Sequence, residues 1–242
     1  MSADAGVVRE TIPRRWLIAP LVLLAGLFAM ETTNIDRTIS HWFYDSAAHA
    51  FPLRQTFFFD TVLHHWTKYA VILTTCMIVG ALLLTWVIPS LARWRSTLLF
   101  LALAMALAPL TVSLLKLVTD RPCPWDFTEF GGAEPYTHLF QFRGTAHARG
   151  LCFPAGHAAT GFALMAFFFA FHREHLKTLA RAALLAGVLA GVLLGISRIA
   201  QGAHFMSHVL WSGLVCWLVM VGLYAALFRP GPGAGTALME NI

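Results

Sequence analysis

Six apolar stretches without a formally charged residue divide this chain of 242 residues. Such a stretch is typical of a transmembrane helix, which needs about 20 apolar residues to cross the hydrocarbon core of a bilayer. Some of the stretches are shorter, so flanking polar residues must complete those spans. The sequence therefore predicts an all-α, polytopic membrane protein with six transmembrane helices. The stretches cover residues 16–30, 70–89, 98–115, 158–171, 182–196 and 209–228.

The composition excludes an ordinary soluble domain. Hydrophobic residues make up 58% of the chain and charged residues 12%, whereas a soluble domain carries about 25% charged residues. The formal net charge of +5 invites a nucleic-acid interpretation, but the basic residues fall in short clusters between the apolar stretches. We therefore expect the lipid bilayer, and no nucleic acid, as a partner of a single membrane-embedded domain over residues 1–242.

The positions of lysine and arginine predict the orientation of the helices. Cytoplasmic loops retain positive charge, and four basic clusters lie on one side of a six-span chain. This places both termini, including residues 1–15 and a flexible tail over residues 229–242, in the cytoplasm of a bacterial inner membrane. The first stretch also resembles a signal peptide, but no small-residue cleavage site follows it cleanly. The clusters are Arg9, Arg14 and Arg15; Arg93 and Arg95; Arg173, Lys177 and Arg181; and Arg229.

The opposite, periplasmic face then carries residues 31–69, 116–154 and 197–207. Within the first of these loops, residues 51–66 mix phenylalanines with Arg54, Asp60 and two histidines. This mixture predicts a short helix that lies in the membrane interface. A surface for lipid entry and a loop without a direct role are both compatible with it.

Three polar segments of the outer face each adjoin the end of a predicted span. Charged groups at that depth are costly unless they are paired or functional, so these segments form a candidate site. Cations neutralise phosphate oxygens, and imidazoles attack phosphorus or transfer protons near neutral pH. Backbone N–H groups at Gly156, at the start of the fourth span, also favour an anion. The candidate side chains are Lys116, Arg121, His157, Arg198, His204 and His208.

These segments resemble the three signature blocks of the type 2 phosphatidic acid phosphatase superfamily, K-x6-R-P, P-S-G-H and S-R-x5-H-x3-D. The third block is the most specific, because Ser197 and Arg198 precede His204 at the family spacing. The resemblance, which covers essentially the whole chain, implies that His204 is a nucleophile that forms a phosphohistidine. It also implies that His157 protonates the leaving oxygen and that Lys116 and Arg198 hold the phosphoryl group.

The chain departs from the family pattern in the first two blocks. Cys123 occupies the arginine position of the first block, so Arg121 is the only guanidinium nearby. Ala155 replaces the serine of the second block, which removes a hydroxyl donor and leaves the backbone amides available. We expect Arg121 to assist in binding the phosphate.

The third block lacks the aspartate that orients the nucleophile in the family, and His208 stands in its place. A neutral His208 can still accept a hydrogen bond from His204, although it stabilises an imidazolium less than a carboxylate does. Asp120 and Asp126, both in the facing loop, are alternative acids.

Two of the four cysteines, Cys123 and Cys152, fall on the outer, oxidising face. We predict a disulfide between them, which would close a loop of roughly 30 residues and contribute about 3 to 4 kcal/mol in the chain-entropy model. It would also tether Lys116 and Arg121 near His157. Two free thiols are the alternative.

The spacing of His204 and His208 is also compatible with a zinc pair, completed by His157, His64 or His65. A cleft with three cations and no obvious acidic ligand repels a metal ion, so we expect no metal and no other cofactor. The four phenylalanines at 167–169 and 171 are expected to face lipid. The histidines expected at the surface or interface are His64, His65, His138 and His147.

The residues and the resemblance together predict an integral membrane phosphatase that removes phosphate from a lipid at the periplasmic face. Lipid A, polyprenyl diphosphate, phosphatidylglycerol phosphate and phosphatidic acid are the substrates that the resemblance implies, with a preference for the first two because such bacterial relatives share this compact size. A lipid phosphotransferase and a non-catalytic lipid-phosphate binder or transporter are the alternatives. The sequence does not indicate an oligomeric state.

Overall fold

The computed structural model describes residues 13–143 and 149–228, and within these ranges the regular structure is helical. Arg9, His147, Arg229, most of the predicted N-terminal segment and the predicted tail lie outside the described residues. The α-helices are α1 (Arg15–Glu31), α2 (Ile35–His41), α3 (Thr67–Val87), α4 (Arg95–Thr119), α5 (Gly156–Phe162), α6 (Ala166–Arg173), α7 (Lys177–Ala200) and α8 (Met206–Phe228).

Each of the six apolar stretches lies in one of these helices, apart from residues 88–89 at the end of the second, or, for the fourth, in the series formed by α5, a 3₁₀ turn (Ala163–Met165) and α6. In the described part of the chain, four helical segments are long and apolar enough to cross a membrane. A fifth results if α1 and α2, which meet at a bend of 75°, count as one span. The all-helical membrane fold is thus confirmed, and the number of six spans stays a prediction. The four segments are Phe58–Val87, Pro89–Asp126, Lys177–Ala200 and Met206–Phe228.

The predicted interfacial segment is helical over part of its length. A π-helical stretch (Phe58–Trp66) continues directly into α3, so it is the beginning of a longer helix and is not a separate element. Its position at a membrane interface stays a prediction.

Large apolar side chains cover the outside of the long helices, as expected where the surrounding solvent is lipid. The sequence predicted that the phenylalanines at 167–169 and 171 all face lipid, but two of them do not. Phe168 and Phe169 are buried in the core, where both rings pack edge-to-face against Trp16 of α1. The reason is that α6 is enclosed by α1, α4, α7 and α8, so one face of this short helix is interior.

Glycines bring α5 and α7 into close contact. A Cβ atom on Gly161 would lie 2.7 Å from the backbone of Ala190, and one on Gly187 would lie 2.6 Å from the backbone of Met165. Small residues of this kind let membrane helices approach closely. The packing fixes the beginning of α5 beside the end of α7, which is where the predicted site residues lie.

The end of the bundle where α4 and α7 end and α5 and α8 begin is here called the site end. An aromatic cluster of Phe51, Phe127, Phe130 and Phe205 is buried beside it. Phe205 directly follows His204, so the cluster anchors the loop that carries this histidine.

Candidate active site

A cavity of about 530 Å³ lies between α3 and α4 and reaches the site end. Apolar side chains line most of its length, and polar groups line one end. Five of the predicted site residues form this polar end, so residues from all three sequence segments line one cavity. The five are Lys116, Gly156, His157, Arg198 and His204.

Two cations face this polar end from the last turns of α4 and α7. Lys116 and Arg198 are close enough to repel each other. The Arg198 Nη1 group donates a hydrogen bond of 2.6 Å to Oε1 of Gln201, and Gln201 Nε2 donates one of 3.1 Å to the Arg54 carbonyl. Because Gln201 is only 1% exposed, it fixes the guanidinium in place. An anion between the two cations would relieve their repulsion.

The start of α5 lies against these cations. Gly156 lies beside Lys116, since a Cβ at this position would be in ordinary van der Waals contact, 3.8 Å from the Lys116 Nζ atom. The neighbouring His157 donates from Nε2 to the carbonyl of Leu63 at 2.8 Å, because a carbonyl oxygen can only accept. This bond ties His157 to the π-helical stretch before α3.

His204 lies in the loop between α7 and α8 and is 5% exposed. Its Nδ1 atom donates a hydrogen bond of 2.7 Å to the backbone carbonyl of Cys152. This bond places the hydrogen of a neutral ring on Nδ1 and leaves the lone pair on Nε2. Burial lowers the pKa of His204 well below its usual value, and the nearby His208, Lys116 and Arg198 lower it further. His204 is therefore a neutral imidazole with one defined nucleophilic nitrogen.

The Cys152 carbonyl is held by its own neighbours. The Cys152 N–H group donates to the Arg121 carbonyl at 2.9 Å, and the Thr119 hydroxyl donates to the next carbonyl, that of Phe153. The structure pairs Cys152 with Cys123 in a disulfide, with Cα atoms 5.1 Å apart. Backbone and side chain of Cys152 are thus both anchored to the segment that follows α4.

Asp120 and Asp126 support this segment and do not bond to the nucleophile. Asp120 Oδ1 accepts a hydrogen bond of 2.7 Å from the Gly150 N–H, and Asp126 Oδ2 accepts one of 2.8 Å from the Cys123 N–H. In the described part of the chain, no carboxylate is hydrogen-bonded to the His204 ring. Among the described residues, His204 Nδ1 is therefore bonded to the Cys152 carbonyl and to neither of these two alternative acids.

His208 and Arg121 do not join the five residues of the cavity. Both line a separate pocket of about 20 Å³, and Arg121 Nη1 donates to the His138 carbonyl at 3.1 Å. The predicted bond from His204 to His208 is also absent, because the Cys152 carbonyl occupies the position of the acceptor. The two histidine rings are 6.0 Å apart between centroids, and no partner for His208 Nδ1 occurs among residues 13–143 and 149–228.

A zinc site was the alternative interpretation of His204 and His208. Across the described residues, no cluster of three histidine, cysteine, aspartate or glutamate side chains is placed to hold a metal ion. Among the histidines expected at the surface, His65 and His138 are exposed.

Sequence reasoning missed three groups that position the site. Besides Gln201 and the Cys152 carbonyl, the buried carboxylate of Asp36 accepts hydrogen bonds from the Ser207 hydroxyl and, at 2.8 Å, from the Ser207 N–H. It thereby holds the first turn of α8, just after His204. An isolated acid about 170 residues upstream gives no signal in the sequence. Gln201, in contrast, lies inside the third block, so its position could have indicated a role at the site.

The model of the PAP2 superfamily matches residues 97–231, a range that includes Lys116, His157 and His204. The chain belongs to the PAP2 superfamily. This confirms the resemblance drawn from the three blocks and identifies the chain as a membrane phosphatase, a phosphoric ester hydrolase of lipid metabolism.

A relative is the lipid A 4'-phosphatase of Francisella tularensis subsp. novicida (strain U112). It is 27% identical over 208 residues, which cover 85% of this chain and 91% of the relative. No solved structure matches the chain.

Proposed function

We propose that this chain hydrolyses a phosphate ester of a membrane lipid through a phosphohistidine on His204. Nε2 of His204 attacks phosphorus, a P–N bond forms and the P–O bond to the lipid breaks. His157, protonated on Nδ1 while its Nε2–H stays bonded to the Leu63 carbonyl, gives the Nδ1 proton to the departing oxygen and then takes one back on Nδ1 from the water that attacks the phosphohistidine. Phosphate leaves with its bond to Nε2 broken, and Lys116 and Arg198 stabilise charge on the phosphoryl oxygens throughout.

The observation that carries this proposal is the hydrogen bond from His204 Nδ1 to the Cys152 carbonyl. It fixes the tautomer in which Nε2 is nucleophilic, which is the task of the aspartate that the third block lacks. The carbonyl is neutral, so it orients the ring but stabilises the imidazolium of the intermediate less than a carboxylate does. The two cations beside the ring compensate by neutralising the phosphoryl group.

The apolar part of the cavity supports a lipid as the substrate. From Lys116 the cavity follows α4 as far as Met105, 11 positions away, which corresponds to about 16 Å at 1.5 Å per residue. Its walls in this part include Val71, Ile72 and Leu110. A phosphate at the polar end therefore leaves room for an attached hydrocarbon chain between α3 and α4.

For the substrate we propose lipid A, on the strength of the relative named above. The basic residues at the opposite end of the bundle, Arg93, Lys177 and Arg181 among them, support a cytoplasmic location for that end. The site end then faces the periplasm of the bacterial inner membrane.

Phosphate release from purified protein tests the proposal. Lipid A, polyprenyl diphosphate, phosphatidylglycerol phosphate and phosphatidic acid are incubated with the protein in detergent, and free phosphate is measured. We expect the highest kcat/KM with lipid A. His204→Ala should abolish turnover, whereas His138→Ala, which removes an exposed histidine outside the cavity, should retain it.

Labelled phosphate identifies the intermediate and the acceptor. Protein quenched during turnover should carry acid-labile, base-stable label that is absent from the His204→Ala variant. Label that moves to a second lipid and not to water would make the protein a phosphotransferase. Binding of lipid A without any release of phosphate would leave only the non-catalytic alternative.

A further inference from the structure

The end of the bundle opposite the site contains a groove that the phosphatase reaction does not use. A cavity of about 400 Å³ lies among α1, α6, α7 and α8 at this end. An apolar cavity of about 290 Å³ adjoins it deeper in the bundle. The two share Ala19, Leu184 and Trp217 as wall residues, so they form one continuous groove between α1 and α7.

The mouth of this groove is basic. Arg15, Lys177 and Arg181 line it, and all three are exposed. No ion pair of these three side chains occurs among the residues that the structure describes. The mouth also contains the beginning of α7, which has no side-chain cap and no acidic residue in its first turn. Positive side chains and a helix N-terminus together favour an anionic group.

The interior of the groove is apolar and has the depth of one lipid leaflet. Lys177 and Val192 mark its two ends on α7, and their separation of 15 positions corresponds to about 22 Å. One half of the hydrocarbon core of a bilayer measures about 15 Å, so an acyl chain fits within this length. Leu23, Met165 and Val188 are among the walls.

We propose that this groove binds an anionic phospholipid of the leaflet opposite the active site. Its phosphate lies against Arg15, Lys177 and Arg181, and one acyl chain runs between α1 and α7. Basic pockets between transmembrane helices recognise anionic head groups in this way. The basic mouth of the groove, where the phosphate lies, is about 30 Å from Arg198, since Lys177 and Arg198 are 21 residues apart on one helix. The bound lipid is therefore not the substrate.

Native mass spectrometry with phosphatidylglycerol tests this proposal on the whole chain. The wild type should retain one phosphatidylglycerol after detergent removal, and it should not retain phosphatidylcholine. The triple variant Arg15→Gln, Lys177→Gln, Arg181→Gln should bind phosphatidylglycerol roughly 100-fold more weakly, because each surface cation contributes about fivefold. Free glycerol phosphate should not compete, because it lacks the acyl chain.

Two further variants separate the groove from general surface charge. Arg93→Gln removes an exposed cation at the same end but outside the groove, and it should bind phosphatidylglycerol like the wild type. Ala19→Trp keeps all the cations and blocks the shared section of the groove, and it should lose the bound lipid. Phosphate release confirms that each variant is folded. Equal binding by all variants, or a second copy of the chain bound in place of the lipid, would overturn the proposal.

Discussion

The two ends of α7 carry cations that are held in different ways. At the site end, Arg198 is half-buried and bonded to Gln201, which is itself bonded to the Arg54 carbonyl. At the opposite end, Arg181 is exposed, and the described residues give it no ion pair. A buried cation with a fixed direction selects one geometry of an anion, whereas an exposed one interacts with any negative surface. Burial and bonding, and not charge itself, distinguish the site from the basic residues at the opposite end of the bundle.

The largest effect is expected from replacing Arg198, with the same replacement of Arg181 as its control. Arg198→Ala should lower kcat/KM by roughly 10² to 10³-fold, because it removes a fixed donor that stabilises transition-state charge. Arg181→Ala, at the other end of the same helix, should change it less than about twofold. Steady-state phosphate release in detergent measures both. A similar loss of kcat/KM in the two variants would show that the difference in burial does not affect catalysis.

The sequence predicted some parts of the site and missed others. Apolar stretches located the helices, and block spacing located Lys116, His157 and His204, because side-chain chemistry at helix ends is visible in sequence. Arg121 was misplaced because α4 ends at Thr119 and Asp120 turns the chain with a φ of 48°. The Cys152 carbonyl was missed because a backbone group has no sequence signature.

The disulfide tests the anchoring of the site end. Replacing both Cys123 and Cys152 by serine should destabilise the protein by about 3 kcal/mol. It should also lower kcat about tenfold or more well below the unfolding temperature, because the Cys152 carbonyl loses an anchor and the His204 tautomer is less well defined. Thermal unfolding and phosphate release at low temperature separate the two effects. Reductant should reproduce them in the wild type and leave the double variant unchanged.

The pH dependence of kcat/KM reports the burial of His204. Its pKa lies below the usual value, so the ring stays neutral, and nucleophilic, as the pH falls through 6.5. At pH 5.5 an ordinary histidine would be about tenfold less active than at neutral pH, and we expect little of that loss here. Lys116→Met removes one of the charges that lower this pKa and should move the acid limb to higher pH. A wild-type acid limb centred at or above 6.5 would contradict the assignment.

The smallest effect is expected from restoring the family acid at position 208. Because the Cys152 carbonyl already fixes Nδ1 of His204, His208→Asp should change kcat by no more than about threefold at neutral pH. The new carboxylate would favour the charged ring, so the pKa of His204 should rise and the acid limb of kcat/KM should move upward. His208→Asn has nearly the same shape without the charge and should leave the limb in place. A large gain in kcat for His208→Asp alone would mean that the carbonyl orients the ring poorly. The missing carboxylate, and not the anchoring of the backbone, would then limit the rate.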